Sequence, residues 1–313
     1  MVDLGTLGGL FSLATAVNAN GQVGRAYTAD NVVHAFSWTH DGGMVDLGTL
    51  GGNYSSAEAV NDNGQVVGNS SIAGDAETHA FSWTEQGGMV DVGTLGGSSS
   101  TAWAVNAGGQ VAGSGLLPGD RVAGCFSWTQ DGGMVDLGLI GCGLRAGAIN
   151  DLGQVVGWFT GGVGGPSRAF SWTQEGGVVE FGTLGGTNSH ANAVNGHGRV
   201  VGASDTAGNA GFDAFLWAQG RRMIDLGTLG GSISEAFAVN DHDQVVGDSN
   251  VAGNSAQHAF SWTRQRGMLD LRPLRGFTDS FANAVNDTGQ VVGWSSSGPS
   301  ESHATLWRAP TAS

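Results

Sequence analysis

Four ionisable side chains occupy corresponding places in a segment that recurs along the sequence. Arg145, His190 and Glu235 each stand five residues before an asparagine, and Glu58 stands three residues before one. A histidine between an arginine and a carboxylate can be tuned as a general acid or base. We therefore assign His190 as the candidate proton carrier, Glu235 as its orienting partner and Arg145 as the holder of an anionic or carbonyl oxygen. We expect Glu58 to lie opposite these three residues, across the opening of the same site. The alternative is that all four charged side chains are simply solvated.

The same segment carries candidate ligand-binding residues. The position three residues before each asparagine is filled by Thr15, Glu58, Trp103, Gly147, Asn192, Phe237 and Asn283. Two residues earlier stand Leu13, Ser56, Thr101, Arg145, His190, Glu235 and Phe281. Because side chains alternate along a strand, both variable rows are expected on one face of it. Aromatic and polar groups that converge make a ligand pocket. The predicted binding residues are Trp103, Asn192, Phe237, Asn283, Tyr54, Trp158 and Trp294.

One histidine and one acidic residue recur at fixed places in most of these segments, and residues of these two types can bind a metal ion. In three repeats the histidine is replaced by Gly124, Arg168 and Asp213, which excludes a ring of identical metal sites. The spacing of a zinc site and the twelve-residue loop of a calcium site are missing. The chain has no lysine for Schiff-base chemistry, and its glycine-rich stretches precede no helix. We predict neither metal nor cofactor, and a hydrogen bond between neighbouring strands for the histidine and the acid.

These residues belong to a repeat that fills the whole chain. Its copies begin at Met1, Met44, Met89, Met134, Val178, Met223 and Met268, 43 to 45 residues apart. Each copy has four short runs with alternating apolar residues, separated by turns such as Asn-Asp-Asn-Gly at residues 61–64. This pattern predicts an all-β, seven-bladed β-propeller of four-stranded antiparallel blades, forming a single domain over residues 1–313. An open solenoid is the alternative architecture.

The two ends of the chain predict that the propeller is closed. The chain begins with the Val-Asp-Leu-Gly run at residues 2–5 and ends after the run at 303–307, where another Val-Asp-Leu-Gly run should follow. Pairing of residues 1–7 with the last hairpin would remove two open sheet edges. We therefore predict that the N-terminal strand completes the last blade.

One tryptophan recurs in every repeat. The repeated residues are Trp38, Trp83, Trp128, Trp172, Trp217, Trp262 and Trp307. A large aromatic residue at the same place in every unit is expected to pack between sheets. Trp103, Trp158 and Trp294 depart from this pattern and are therefore assigned to the binding site.

The repeated His-Ala-Phe triplet, found at residues 34–36, 79–81 and 258–260, resembles the bacterial HAF-repeat family. The resemblance extends over the whole chain and implies an extracellular location. It transfers no activity or catalytic motif to these positions. The strand order and the joining of the two ends are also similar to WD-repeat propellers, which is a resemblance of architecture alone.

Composition narrows the possible partners. The chain has 27 acidic and 12 basic residues and a formal net charge of −15, a field that repels phosphate backbones and anionic lipids. No stretch approaches the roughly 18 apolar residues of a membrane helix, and no signal peptide is recognisable. We expect a monomer without nucleic-acid or membrane partners. Cys125 and Cys142 are too few for a disulfide framework, so the cellular compartment stays open.

Two functions fit these observations. The first is a binding module that presents an aromatic and acidic channel mouth to a small molecule, a glycan or a partner peptide. The second is a cofactor-independent enzyme of hydrolase, lyase or isomerase (cyclase) type, with His190, Glu235, Arg145 and Glu58 at the same mouth. The absence of a known catalytic motif favours the binding module.

Overall fold

The computed structural model describes residues 2–144, 148–298 and 301–308. The chain forms two compact units: residues 1–155 with 160–164, and residues 156–159 with 165–313. Both units consist of short β-strands, and two 3₁₀ turns are the only helical segments in the described ranges. None of the described residues lies in a helix of the length and hydrophobicity that a membrane span needs. The predicted all-β class is confirmed.

The first unit contains three sets of four strands; the fourth strand of each set is the opening run of the next copy, and from here a set is numbered by the repeat that supplies its first three strands. The strands are β1 (Gly8–Val17), β2 (Gly21–Thr28), β3 (Val33–Thr39), β4 (Gly43–Asp46), β5 (Gly51–Val60), β6 (Val66–Ile72), β7 (Thr78–Thr84), β8 (Gly88–Gly93), β9 (Ser100–Val105), β10 (Val111–Leu116), β11 (Ala123–Thr129) and β12 (Gly133–Ile140). In each repeat the four strands pair antiparallel in chain order.

The second unit contains the later repeats. Their strands are β13 (Val155–Phe159), β14 (Arg168–Thr173), β15 (Gly177–Glu180), β16 (Gly185–Val194), β17 (Val200–Thr206), β18 (Phe212–Trp217), β19 (Ile224–Asp225), β20 (Gly230–Val239), β21 (Val245–Val251), β22 (Gln257–Thr263), β23 (Gly267–Leu271), β24 (Asp279–Val285), β25 (Gln290–Ser296) and β26 (Ser302–Arg308). The 3₁₀ turns are Ala207–Asn209 and Ala252–Asn254. Repeats five and six again have four antiparallel strands each, and a parallel pairing of Phe212 with Ile233 joins them in one eight-stranded sheet.

Two repeats have fewer strands in the described residues. Repeat four has β13, β14 and β15, and its expected first strand is reduced there to a bridge between Ile149 and Val155. Repeat seven has β24, β25 and β26. The expected strand at residues 1–7 is not formed in the described residues 2–7, of which only Leu7 joins a bridge, to Thr28. Closure of the propeller therefore stays a prediction.

In the six repeats whose first strand is described, that strand carries a β-bulge at its variable position. In β20, Ala236 pairs with Gly247 and Ala238 pairs with Val246, so Phe237 is the extra residue. The same register shift occurs at Thr15, Glu58, Trp103, Asn192 and Asn283. A bulge redirects a side chain and breaks the strict alternation of faces. Simple alternation therefore does not decide whether the two variable rows share a face, which stays a prediction; in repeat two, Ser56 and Glu58 from the two rows are hydrogen-bonded to each other.

The constant glycine of the second strand follows from the bulge. The bulged strand brings its backbone so close that a Cβ on Gly247 would collide with the carbonyl oxygen of Glu235. Gly202 stands in the same relation to His190. Glycine is needed wherever two backbones approach this closely.

The core between the sheets is built from one phenylalanine in almost every repeat. These phenylalanines are fully buried: Phe36, Phe81, Phe126, Phe170, Phe215 and Phe260. The repeated tryptophans pack against the neighbouring sheet, as Trp262 does against Leu216 and Val201. Trp128, Trp172, Trp217 and Trp262 are buried, whereas Trp38, Trp83 and Trp307 are half-buried. Their predicted packing role is thus confirmed most fully in the middle repeats.

Asparagines at the first turn join consecutive repeats. Asn61 Nδ2 donates to the carbonyl oxygen of Asn106 at 2.9 Å, and Asn240 Nδ2 donates to that of Asn286 at 2.9 Å. Asn240 Oδ1 also accepts the backbone N–H of Gln244, so one side chain holds its own turn and the next. These bonds satisfy polar groups that packing removes from water.

Candidate functional site

His190 lies among aromatic rings in the second unit. Its imidazole is half-buried, with the ring centroid 5.2 Å from that of Trp158 and 5.8 Å from that of Phe212. Trp158 comes from β13, His190 from β16 and Phe212 from β18. The structure thus brings the predicted residues His190 and Trp158 together and adds Phe212. Edge and tilted ring contacts of this kind are a preferred arrangement of aromatic pairs and fix the orientation of the rings.

Asn192 joins this cluster to the next repeat. Its Nδ2 donates to Glu235 Oε1 at 2.8 Å and to the carbonyl oxygen of Ala236 at 2.9 Å. The side chain is 2% exposed, and its Oδ1 has no hydrogen-bond partner among the described residues. A buried acceptor without a partner costs about 1 to 3 kcal/mol. Asn192 therefore retains one unsatisfied acceptor at the centre of the predicted site.

A second carboxylate lies opposite Glu235. Asp248 of β21 is the cross-strand partner of Glu235 in β20 and is buried. Side chains of directly paired residues lie on the same face about 5 Å apart, so the two acids share one environment. Sequence reasoning missed Asp248. The available signal was its place directly after the constant Val-Val-Gly run, where the repeats carry another variable residue.

The first unit holds three of the predicted residues in separate settings. Glu58 Oε1 accepts a hydrogen bond from Ser56 Oγ at 2.9 Å, and Trp103 Nε1 donates to Ser114 Oγ at 2.8 Å. Tyr54 lines a cavity of about 330 Å³. The other side chains of that cavity include Phe11, Arg25 and Tyr27. Each of these predicted residues is thus partly engaged by a neighbour in its own unit.

The remaining predicted residues are distributed along the second unit. Trp294 stacks on Phe281, with ring centroids 4.8 Å apart and planes inclined by 20°. Asn283 is exposed and Phe237 is half-buried, both at bulge positions. Arg145, with the variable Gly147, lies outside the described residues. The structure therefore groups Trp158, His190, Asn192 and Glu235 through contacts, and it leaves Trp294 in a separate aromatic pair.

The repeated histidine and acid form the predicted tie between strands. His34 Nδ1 lies 2.9 Å from Asp46, His79 Nδ1 lies 2.9 Å from Asp91, and in repeat six His258 pairs with Asp270 in the same way. The acid also accepts the backbone N–H two residues later, as Asp46 does from Gly48. No group of three or more potential metal-binding side chains is found in the residues described.

Repeat five replaces this tie with two acids. Asp213 stands at the histidine position, and burial, together with the charge of Asp225, raises its pKa to about 6. In this repeat Asp225 therefore lacks the histidine that pairs with the corresponding acid in repeats one, two and six. The pair of acids lies outside the cluster around His190.

Comparison with solved structures shows a β-propeller fold. The β-propeller domain of the Trilobed protease from Pyrococcus furiosus, described as having an open velcro topology, matches with a TM-score of 0.60 and 7% identity over 96% of this chain and 97% of that one. Acylaminoacyl peptidase from Pyrococcus horikoshii matches with a TM-score of 0.51 and 11% identity over 81% of this chain and 45% of that one. At these identities the likeness establishes the fold alone. No family model and no curated protein sequence matches the chain.

Proposed function

We propose that this chain is a ligand-binding propeller whose site is formed by Trp158, His190, Asn192, Glu235 and Asp248. The observation that carries the proposal is the buried Asn192 side chain, which donates to Glu235 while its own Oδ1 has no hydrogen-bond partner among the described residues. Buried polar atoms are satisfied by a protein group, an ordered water or a ligand, and we assign this acceptor to a ligand.

The chemistry of the site suits a neutral ligand rich in hydroxyl groups, such as a glycan. The carboxyl oxygens of Glu235 and Asp248 and the amide oxygen of Asn192 are groups that accept hydrogen bonds from hydroxyl groups. Trp158 and His190 offer ring surfaces on which the apolar face of a sugar can stack. Small polar molecules and peptides with exposed hydroxyl or amide donors share this chemistry more weakly.

A ligand screen on the intact chain tests the proposal. Neutral mono- and oligosaccharides and neutral peptides are added to the protein, and binding is measured by the shift in melting temperature and by isothermal titration calorimetry. Trp158→Ala and Asn192→Ala should each weaken a ligand that binds wild type by about tenfold or more, since they remove stacking area and a buried acceptor. Trp294→Ala is the matched control, because this tryptophan also follows a Val-Val-Gly run but stacks on Phe281.

Equal affinity in Trp158→Ala, Asn192→Ala and wild type would contradict the site. The same proteins address the enzymatic alternative, because a hydrolase or lyase would consume the bound compound during titration. We expect the bound compound to be recovered unchanged from wild type and from His190→Ala.

We further propose that the seven repeats close into a ring, with residues 2–7 as the fourth strand of the last blade and the ligand site at the channel mouth. Residues 3–12 already repeat the local bonds of residues 46–55. Asp3 Oδ1 accepts the N–H of Gly5 at 3.0 Å as Asp46 does from Gly48 at 2.8 Å, and Ser12 Oγ donates to the carbonyl oxygen of Gly5 at 2.7 Å. In this arrangement Asp3 would pair with His303 as Asp46 pairs with His34.

We also propose membership of the HAF-repeat family and a location outside the cytoplasm. The His-Ala-Phe triplets support the first. The second is supported by a disulfide between Cys125 and Cys142, whose Cα atoms are 5.6 Å apart. Disulfides of this structural kind persist in oxidising compartments.

A further inference from the structure

Repeat five departs from the other repeats at one end of its strands. In repeats two, three and six a glutamine at the start of the second strand donates to a serine on the third, as Gln65 does to Ser82 at 2.9 Å and Gln244 to Ser261 at 2.9 Å. In repeat five these positions are Arg199 and Leu216. The neutral polar pair has become a cation beside an apolar side chain.

The neighbouring repeat carries a matching change. The glycine that ends the Asn-Asp-Asn-Gly turn is Asp243 in repeat six, where it adopts a φ of 58° that side chains other than glycine rarely adopt. Arg199 Nε lies 3.4 Å from Asp243 Oδ2. The two substitutions therefore form one ion pair between consecutive repeats.

The second turn of repeat five is also rebuilt to carry cations. Five other repeats have a threonine whose Oγ1 accepts an N–H three residues later, as Thr173 does from Gly176. Repeat five instead reads Ala-Gln-Gly-Arg-Arg at residues 218–222. Arg221 and Arg222 occupy positions that are glycines in repeats one to four. They can do so because Gly220 adopts the positive φ of this turn, 73°, in their place.

These changes converge on one pocket of about 160 Å³. Its charged side chains are Arg199, Arg221, Arg222, Arg264 and Asp243. Four of the chain's 12 basic residues thus share one site with a single carboxylate, although the chain carries a net charge of −15. Asp243 is committed to Arg199. No ion pair links Arg221, Arg222 or Arg264 to an acid in the part of the chain that is described.

We propose that this pocket binds a tetrahedral oxoanion, the phosphate or sulfate group, either as the free ion or as an ester on a larger molecule. Guanidinium groups present paired N–H donors whose geometry matches oxoanions. The volume accommodates one such group with a few waters, at roughly 30 Å³ each. An anion would relieve the repulsion among Arg221, Arg222 and Arg264, which line the same pocket.

Calorimetric titration of the whole chain tests the proposal with inorganic phosphate, sulfate, glucose 6-phosphate and glucose 6-sulfate, at constant ionic strength set by chloride. We expect saturable binding of at least one of these probes. The ester forms alone would bind if the group belongs to a larger ligand, and all four would bind if the free ion suffices. Arg221→Gln with Arg222→Gln should lower affinity by about tenfold or more, from the loss of charged hydrogen bonds.

Arg264→Gln provides an independent variant, because Arg264 belongs to repeat six, whereas Arg221 and Arg222 belong to repeat five. Arg275→Gln is the control, an exposed arginine that does not line this pocket, and it should bind as wild type does. Trp158→Ala should also bind normally, which separates this pocket from the proposed ligand site. Absence of binding for all four probes, or affinity unchanged in both pocket variants, would overturn the proposal.

Discussion

Asp213 faces Asp225 at the place where repeats one, two and six pair a histidine with an aspartate. Burial and then the charge of Asp225 raise the pKa of Asp213 from 3.8 to about 6. The folded protein therefore holds a proton that the unfolded chain releases between about pH 4 and 6. By linkage, this group lowers stability as pH rises through that interval, and the loss is complete above it.

Replacing Asp213 should remove this pH dependence. Asp213→Asn should raise the melting temperature at pH 7.5 and leave it little changed at pH 4, because only the ionised form is unfavourable. Asp213→His should also stabilise the protein at pH 7.5 by restoring a donor to Asp225. Melting curves at the two pH values provide the measurement, with exposed Asp41→Asn as the control. Equal shifts at both pH values would show that Asp213 does not titrate as described.

The close approach of the two strand backbones at the bulge predicts that the glycine of the second strand cannot be replaced without loss of stability. Gly247→Ala should destabilise the protein by about 1 to 3 kcal/mol, since the new Cβ must displace the backbone of Glu235. In Gly108→Ala the added Cβ meets only Asn106 Oδ1 at 3.4 Å, and stability should change little. Urea unfolding of both variants checks this, and similar free energies of unfolding would argue against the bulge.

The architecture was accessible from the sequence to a large extent, because turns and alternating strands recur at a fixed spacing. The tie between His34 and Asp46 was likewise expected from their repetition. The bulge at Phe237 was not, since an extra residue in one strand becomes visible only in the pairing with its neighbour. Asp248 escaped notice because its importance depends on the strand that places it opposite Glu235. Variation between repeats marks the site on the second strand as well as on the first, because Asp248 also stands at a position that differs between repeats.

The disulfide offers a test of covalent stabilisation. Cys125 stands where most other repeats have alanine, so Cys125→Ala with Cys142→Ser should preserve the packing of that strand. The cysteines are 17 residues apart, and closing a loop of this size contributes about 3 kcal/mol. The variant and the reduced wild-type protein should both unfold at lower urea concentration than the oxidised protein. A wild type insensitive to reductant, with free thiols by mass spectrometry, would contradict the bond.

Closure of the ring is tested at the N-terminus. Removing residues 1–7 should lower the melting temperature markedly or cause aggregation, because the edge of the last sheet would be left unpaired. Asp3→Asn gives a milder test, since it weakens only the expected contact with His303. Exposed Asp30→Asn serves as its control. A truncated chain that melts like the full chain would support an open propeller instead.

The most direct test of the binding proposal is a crystal structure with the best neutral ligand from the screen. The account predicts that the ligand stacks against Trp158 and donates a hydrogen bond to Asn192 Oδ1, with Glu235 or Asp248 accepting another. A ligand bound among the short turns at the opposite end of the strands, with Asn192 Oδ1 still unsatisfied, would contradict it.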